Sequence, residues 1–228
     1  MTSTNRKAIP IILALGLWAP MAFAHGDAVP QAVDTAGLPE LPAEMASENP
    51  WRGADGEVLF KAVEIGAKGF NSNCARCHGL EAISGGLAPD LRFLEANDFG
   101  DEWFLDRILH GYEQNGAVKM PPFDGILNQQ AIWAIRTYIE TRPDADELAA
   151  KSTELAALHD KVKALGTGAS ADQANALADE LDAAGGGFEA LSGGPRAVTV
   201  LDQAAFILRS GPGHAPAAAE LIHGALRN

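Results

Sequence analysis

Apolar residues recur at helical spacing in three stretches near the middle of the chain. Over 56–68, Val58, Leu59, Ala62 and Val63 share one face; over 101–110, Phe104 and Ile108 are four apart; over 128–141, Ile132, Ile135 and Ile139 repeat at three and four. Asp101 and Asn128 read as N-caps, and Pro143 as a stop. No segment alternates well enough to predict a strand. Beyond Pro143 the pattern resumes: Leu148, Leu155, Leu158, Val162 and Leu165 make a stripe along a helix over 144–166. Helices over 171–184, 198–209 and 216–226 follow, separated by Gly185-Gly186-Gly187 and Gly193-Gly194-Pro195. The stripe is too short for a coiled coil and fits the core face of a small bundle.

The first residues have another pattern. Arg6 and Lys7 precede an apolar run from Ala8 to Trp18, and Ala22-Phe23-Ala24 places small residues where a signal peptidase reads. This is the layout of a secretory signal cleaved after Ala24, so the mature chain begins at His25. The run is about half of the roughly 20 residues a spanning helix needs, which disfavours an uncleaved anchor. No later segment is long and apolar enough to span, so no integral membrane protein is expected.

Composition divides the rest. Residues 25–49 are rich in Ala, Pro and acids, contain no Lys or Arg, and read as an extended acidic arm. All Trp and Tyr after the signal fall within 50–143; alanine dominates 144–228, where Phe188 and Phe206 are the aromatics. The expected organisation is a signal (1–24), an arm (25–49), an aromatic helical domain (50–143) and a helical extension (144–228). All of it is all-α.

After removal of residues 1–24, 30 acidic side chains face 15 basic ones, a net charge of −15. Nucleic acid, which selects basic surfaces, is excluded as a partner, and partners with basic docking patches are favoured.

Only two cysteines exist, both in Cys74-Ala75-Arg76-Cys77-His78. Two thiols three residues apart can each add across one vinyl group of a haem, and the next histidine can reach the iron. C-x-x-C-H is therefore read as the attachment site of one covalent haem c. A structural zinc site would need four ligands, and no second C-x-x-C or H-x-x-x-H completes one. A thioredoxin-like site would need a βαβ setting.

The opposite side of the iron needs a ligand or an open position. Met120 is the candidate, in Lys119-Met120-Pro121-Pro122-Phe123, where two prolines stiffen the backbone behind the thioether. The other methionine surviving processing is Met45, in the arm. His110, at a helix end before Gly111, reads as a surface imidazole, as do His159, His214 and His223 in the extension. His25, as a mature N-terminus, could chelate copper but has no partner histidine.

With these residues in place, 50–143 resembles a class I monohaem cytochrome c. Gly79 follows the motif as is common there, Pro89-Asp90-Leu91 looks like the family's loop on the histidine side, and the helices bearing Phe60 and Tyr138 match its crossing terminal helices. The resemblance implies the class I cytochrome c fold, here with a C-terminal helical extension. It also implies that the Pro89 carbonyl accepts the Nδ1 hydrogen of His78. Residues 25–31, 71–79, 85–91 and 120–123 are similar to the small cytochromes that accept electrons from PQQ-dependent alcohol dehydrogenases; residues 144–228 are an addition those lack. The expected role is then a periplasmic electron carrier, not an enzyme. Its iron would be held by His78 and Met120, with a quinoprotein alcohol dehydrogenase as donor and an oxidase or another cytochrome as acceptor. Leu91, Phe93, Trp103, Phe104 and Trp133 are expected to wall the haem pocket. The alternatives are a haem subunit of another oxidoreductase, a peroxidase among them, and a haem-based sensor.

Overall fold

A glycine-containing face on one helix sets the main crossing. The computed structural model describes residues 29–54, 56–166 and 168–226; the expected export signal and His25 lie outside them. Helix α1 (Gly56–Asn73) crosses α4 (Gln129–Glu140). At Gly66 a Cβ would stand 2.0 Å from the Ala134 carbonyl oxygen, and at Gly69 one would stand 2.9 Å from the Ile135 side chain. The two backbones therefore approach more closely than any side chain would allow. Leu59, Val63 and Phe70 of α1 pack there against Ile132, Ile135, Tyr138 and Ile139 of α4.

Between these helices run α2 (Ala75–His78), α3 (Asp98–His110) and a two-stranded antiparallel hairpin, β1 (Tyr112–Gln114) and β2 (Ala117–Met120). The hairpin departs from the expectation of no strands. Its strands are too short to show alternation; the signal present was Asn115-Gly116, both at positive φ (54° and 74°), the pair that a two-residue hairpin turn requires. The cap of α3 is also corrected. Asn97, not Asp101, is the N-cap, its side chain accepting from the Gly100 N–H. Asp101 is drawn into a buried ion cluster instead. It accepts from Arg136 Nε (2.8 Å), Arg52 Nη2 (2.7 Å) and the Asn49 N–H (2.9 Å). Glu140 joins through Arg52 and Asn49. Two guanidinium groups thus meet two carboxylates, which compensates the large cost of burying each charge alone. Burial nevertheless holds the Glu140 carboxyl above its ordinary range.

The arm is not a free strap. Asn49 is part of the ion cluster, and Leu38 packs with Trp51, Ile65 and Trp133 in a separate apolar group. Gln129 holds the arm through the Pro42 carbonyl (2.7 Å) and the Ala46 N–H (2.8 Å). Helix α4 is consequently buried on all sides from Ala131 onward.

Past Pro143 the predicted long helix is broken at Lys151 into α5 (Ala145–Ala150) and α6 (Ser152–Leu165). Helices α7 (Ala171–Gly185), α8 (Val200–Arg209) and α9 (Ala215–Leu226) complete a second core of Leu158, Val162, Leu181, Leu201, Leu208 and Ile222. Capping boxes at Ser170–Gln173 and Thr199–Asp202 start α7 and α8. This unit is clasped to the end of α4. The Val198 N–H donates to Thr141 O (2.9 Å), Arg142 Nη2 donates to Val198 O (2.9 Å), and the Phe206 ring lies 5.3 Å from Phe60. A cleft of about 1030 Å³ opens between Glu81, Ile83 and Arg142 on one side and α5, α6, α8 and α9 on the other. Among the described residues no helix is long and apolar enough to cross a membrane.

Candidate haem site

Helix α1 ends where the attachment motif begins. Cys74 (φ −117°) interrupts it, yet its N–H still donates to Phe70 O at 2.7 Å, and the Cys77 and His78 N–H groups fold back on the Cys74 carbonyl at 3.1 and 3.0 Å. The two cysteines and the histidine therefore occupy one helical turn. Gly79 (φ +79°) then reverses the chain, and a Cβ there would meet the Ile83 carbonyl at 1.9 Å, so only glycine fits. Glu81 and Ala82 continue with φ of 55° and 61°, an unusual conformation for non-glycine residues. Ala82 is buried and Glu81 pairs with Arg142 at 2.9 Å, and these contacts hold the reversal.

The returning loop brings Pro89 to His78. The Pro89 carbonyl lies 2.9 Å from His78 Nδ1. A carbonyl only accepts, so Nδ1 carries the proton and Nε2 is left with its lone pair. The loop is itself braced. Asp90 accepts from Arg92 Nε (3.0 Å), Arg92 Nη2 (2.8 Å) and the Arg92 N–H (3.1 Å), and Ser84 Oγ donates to Ala88 O. Burial pushes the Asp90 carboxyl up, but the Arg92 guanidinium and backbone hydrogen bonds outweigh it and hold the group below its ordinary range.

Met120 ends β2, and its side chain packs on the same core cluster as Cys74, Leu91 and Phe104. Gly111 permits this. It has φ +72°, and a Cβ would stand 2.4 Å from the Met120 carbonyl oxygen. Beyond the two prolines, the Phe123 N–H donates to Ile108 O at 2.8 Å and the Phe123 ring is buried, which fixes the strand end against α3. His110 is exposed and turned to Asp106.

Of the five residues expected to wall a pocket, Leu91 and Phe104 lie in this core, and Phe93 and Trp103 are exposed. Trp133 is corrected: it packs under the arm, in the group of Leu38 and Trp51. Sequence reasoning missed the Asp90–Arg92 brace, the Glu81–Arg142 pair and the role of Gly111. The i, i+2 charge pair after Pro89 was the available signal for the first; the second joins residues 61 apart.

The residues suit a covalent haem. Burial and the neighbouring Cys77 push the Cys74 thiol up to about 12, so it is kept as a thiol. No group of three or more His, Cys, Asp or Glu among the described residues is placed to hold a metal ion, so the cysteines have no partners for a structural zinc site. Among the described residues, apart from Val29 and Met45 of the arm, every large apolar side chain that stands exposed lies between Leu80 and Ile126. Exposed apolar side chains in the segment that follows the motif are what a macrocycle could cover.

The fold and this turn are those of a c-type haem protein. The comparisons agree. The family model described as "Cytochrome C oxidase, cbb3-type, subunit III" matches residues 61–139. Cytochrome c550 of Pseudomonas aeruginosa is 49% identical over 135 residues, 59% of this chain and 92% of that protein. The chain belongs to the cytochrome c family, carries covalently bound haem c and is an electron carrier rather than an enzyme. Two proteins of Pseudomonas putida are similar over shorter stretches. Quinohemoprotein alcohol dehydrogenase ADH IIB is 34% identical over 87 residues, and ADH-IIG is 33% identical over 81. These stretches are 38% and 36% of this chain, and only 12% and 11% of those proteins. No solved structure matches the chain.

Proposed function

We propose that this chain is an exported, periplasmic electron carrier that takes electrons from a quinoprotein alcohol dehydrogenase and delivers them to an oxidase or another cytochrome. The observation that carries the donor assignment is the similarity of the haem domain to short stretches of two quinohaemoprotein alcohol dehydrogenases. A donor that holds such a segment within its own chain in one protein can use a separate one in another.

In this reading Cys74 and Cys77 would hold the haem covalently, and His78 Nε2 and the Met120 thioether would be its iron ligands. Bound in this way, the haem supplies a one-electron couple whose potential methionine ligation raises. The chain's own residues do the rest. Pro89 O holds the proton on His78 Nδ1, which fixes the tautomer and strengthens Nε2 as a ligand. The Asp90–Arg92 brace keeps Pro89 in place. Gly111 and Pro121-Pro122 fix the backbone that carries Met120. Residues 50–143 act as the haem unit, and 144–228 as a helical unit that docks on a partner or a second copy.

Stopped-flow mixing of the oxidised protein with a reduced quinoprotein alcohol dehydrogenase tests the donor. Reduction should be fast at low salt and slow as ionic strength rises, because screening shortens the field of a chain whose net charge is −15 once residues 1–24 are removed. No reduction at any salt would remove the donor assignment; a salt-independent rate would make docking apolar. A second reading follows from the description of the matching family model: a haem subunit of a larger oxidoreductase. Purification of the native protein within a stable oxidase complex would favour it.

A further inference from the structure

Histidines 159 and 223, 64 residues apart in sequence, meet on the outside of the extension. His159 follows Leu158 of α6, and His223 follows Ile222 of α9; both leucine and isoleucine are buried in the second core. Each imidazole thus stands at the rim of the same α6–α9 contact. The ring centres are 5.5 Å apart with planes inclined by 36°. Both residues are half-buried, and the His159 side chain keeps 15% of its surface in contact with solvent. A ligand could reach them, and little side-chain freedom would be lost on binding.

A second contact prepares one of the rings. His159 Nδ1 lies 3.0 Å from Asp160 Oδ1. An ionised carboxylate only accepts, so the neutral ring carries its proton on Nδ1 and presents Nε2 as a lone pair. A carboxylate behind an imidazole also makes it a stronger metal ligand, the arrangement seen where histidines hold zinc. Two imidazoles that share one tetrahedral ion, with metal–nitrogen bonds of about 2.0–2.1 Å, have ring centres roughly 5 Å apart. The observed separation is close to that value.

We propose that His159 and His223 form a binding site for one borderline divalent cation of the zinc class, with Asp160 orienting His159 and water completing the coordination. No third His, Cys, Asp or Glu among the described residues is placed to join them, so the protein supplies two ligands and the affinity is modest. The ion ties α6 to α9. These helices also supply Leu155, Leu221 and Ala225 to the wall of the large cleft, so metal binding stiffens that wall. An ion bound only by the folded extension raises its stability by mass action.

The test uses the tag-free holoprotein and zinc sulfate in a non-chelating buffer, followed by calorimetry and thermal unfolding. The wild type should bind one ion per chain and melt at a higher temperature with zinc. His159→Ala and His223→Ala should each weaken binding at least tenfold and abolish the thermal shift; Asp160→Asn should weaken it several-fold; His214→Ala should change neither. Equal zinc binding by wild type and the His159→Ala/His223→Ala double variant, as at the N-terminal His25, would overturn the proposal, as would no binding at all. Should a variant fail to fold, zinc-edge X-ray absorption of the wild type decides: two imidazole shells support the site, and fewer than two refute it.

Discussion

The carbonyl of Pro89 lies 2.9 Å from Nδ1 of His78, and the residue next to Pro89 is the anchor of its loop. Asp90 is held below the ordinary carboxylate range by Arg92, so it favours the fold at neutral pH and ceases to do so as its carboxylate is protonated. Its contribution is complete above the ordinary value of about 4 and is lost as pH falls through the lowered one. Asp90→Asn should therefore be less stable than the wild type at pH 7, and should lose less between pH 5 and the acid transition. Chemical denaturation across that range checks this; parallel curves for the two proteins would deny Asp90 the role.

Met120→Ala should leave the haem attached and remove the weak near-red absorption of a sulfur–iron bond. The reduced variant should bind carbon monoxide and show a lower potential. Cys74→Ala with Cys77→Ala should yield no covalent haem on acid–acetone extraction. A Met120→Ala spectrum like that of the wild type would pass the ligand role to another residue.

Gly66→Ala tests the crossing of α1 and α4. A helix interior ordinarily gains roughly 0.5–1 kcal/mol from this change. Here the added methyl would sit 2.0 Å from Ala134 O, which is backbone and cannot turn aside. Overpacking of this kind costs about 1–3 kcal/mol or more, so the variant should unfold at lower denaturant concentration. A gain in stability would mean that the helices separate freely.

A stop after Arg142 tests the extension. It removes Val198, which is fully buried against the haem-domain core, and the Phe206 ring beside Phe60. We expect the haem spectrum and nearly the full potential to remain, with lower stability and loss of donor affinity or oligomeric state. Phe206→Ala alone should cost about 1–3 kcal/mol, since the ring is only partly buried. Failure of the truncated chain to incorporate haem would place the extension within the cytochrome unit.

Much of the scaffold was legible because its signals are local. The stripe of Ile132, Ile135 and Ile139 marks α4 whatever surrounds it, and Asn128 caps that helix as read. The motif at 74–78 specifies its chemistry by spacing alone. Where the reading departed, a distant partner had intervened. Asp101 is a sound local cap, but two guanidinium groups and a backbone N–H hold its carboxylate inside, and Asn97 caps instead. Trp133 reads as a pocket wall by type and neighbourhood, but α4 is covered on that side by Leu38 and Trp51. Lys151 ends α5 and begins α6, where the sequence stripe runs on without interruption.

The sequence by itself determined most of the helices, the C-x-x-C-H turn and the change of character after Pro143, because periodicity, proline and residue spacing act over a few positions. Tertiary structure alone decided the rest: that Gly66 lies against Ala134, that the arm covers Trp133, that Arg142 reaches both Glu81 and Val198, and that His159 meets His223. Each of these depends on packing between segments far apart in the chain, and close contact there is decided by the volume, charge and backbone geometry of both partners together.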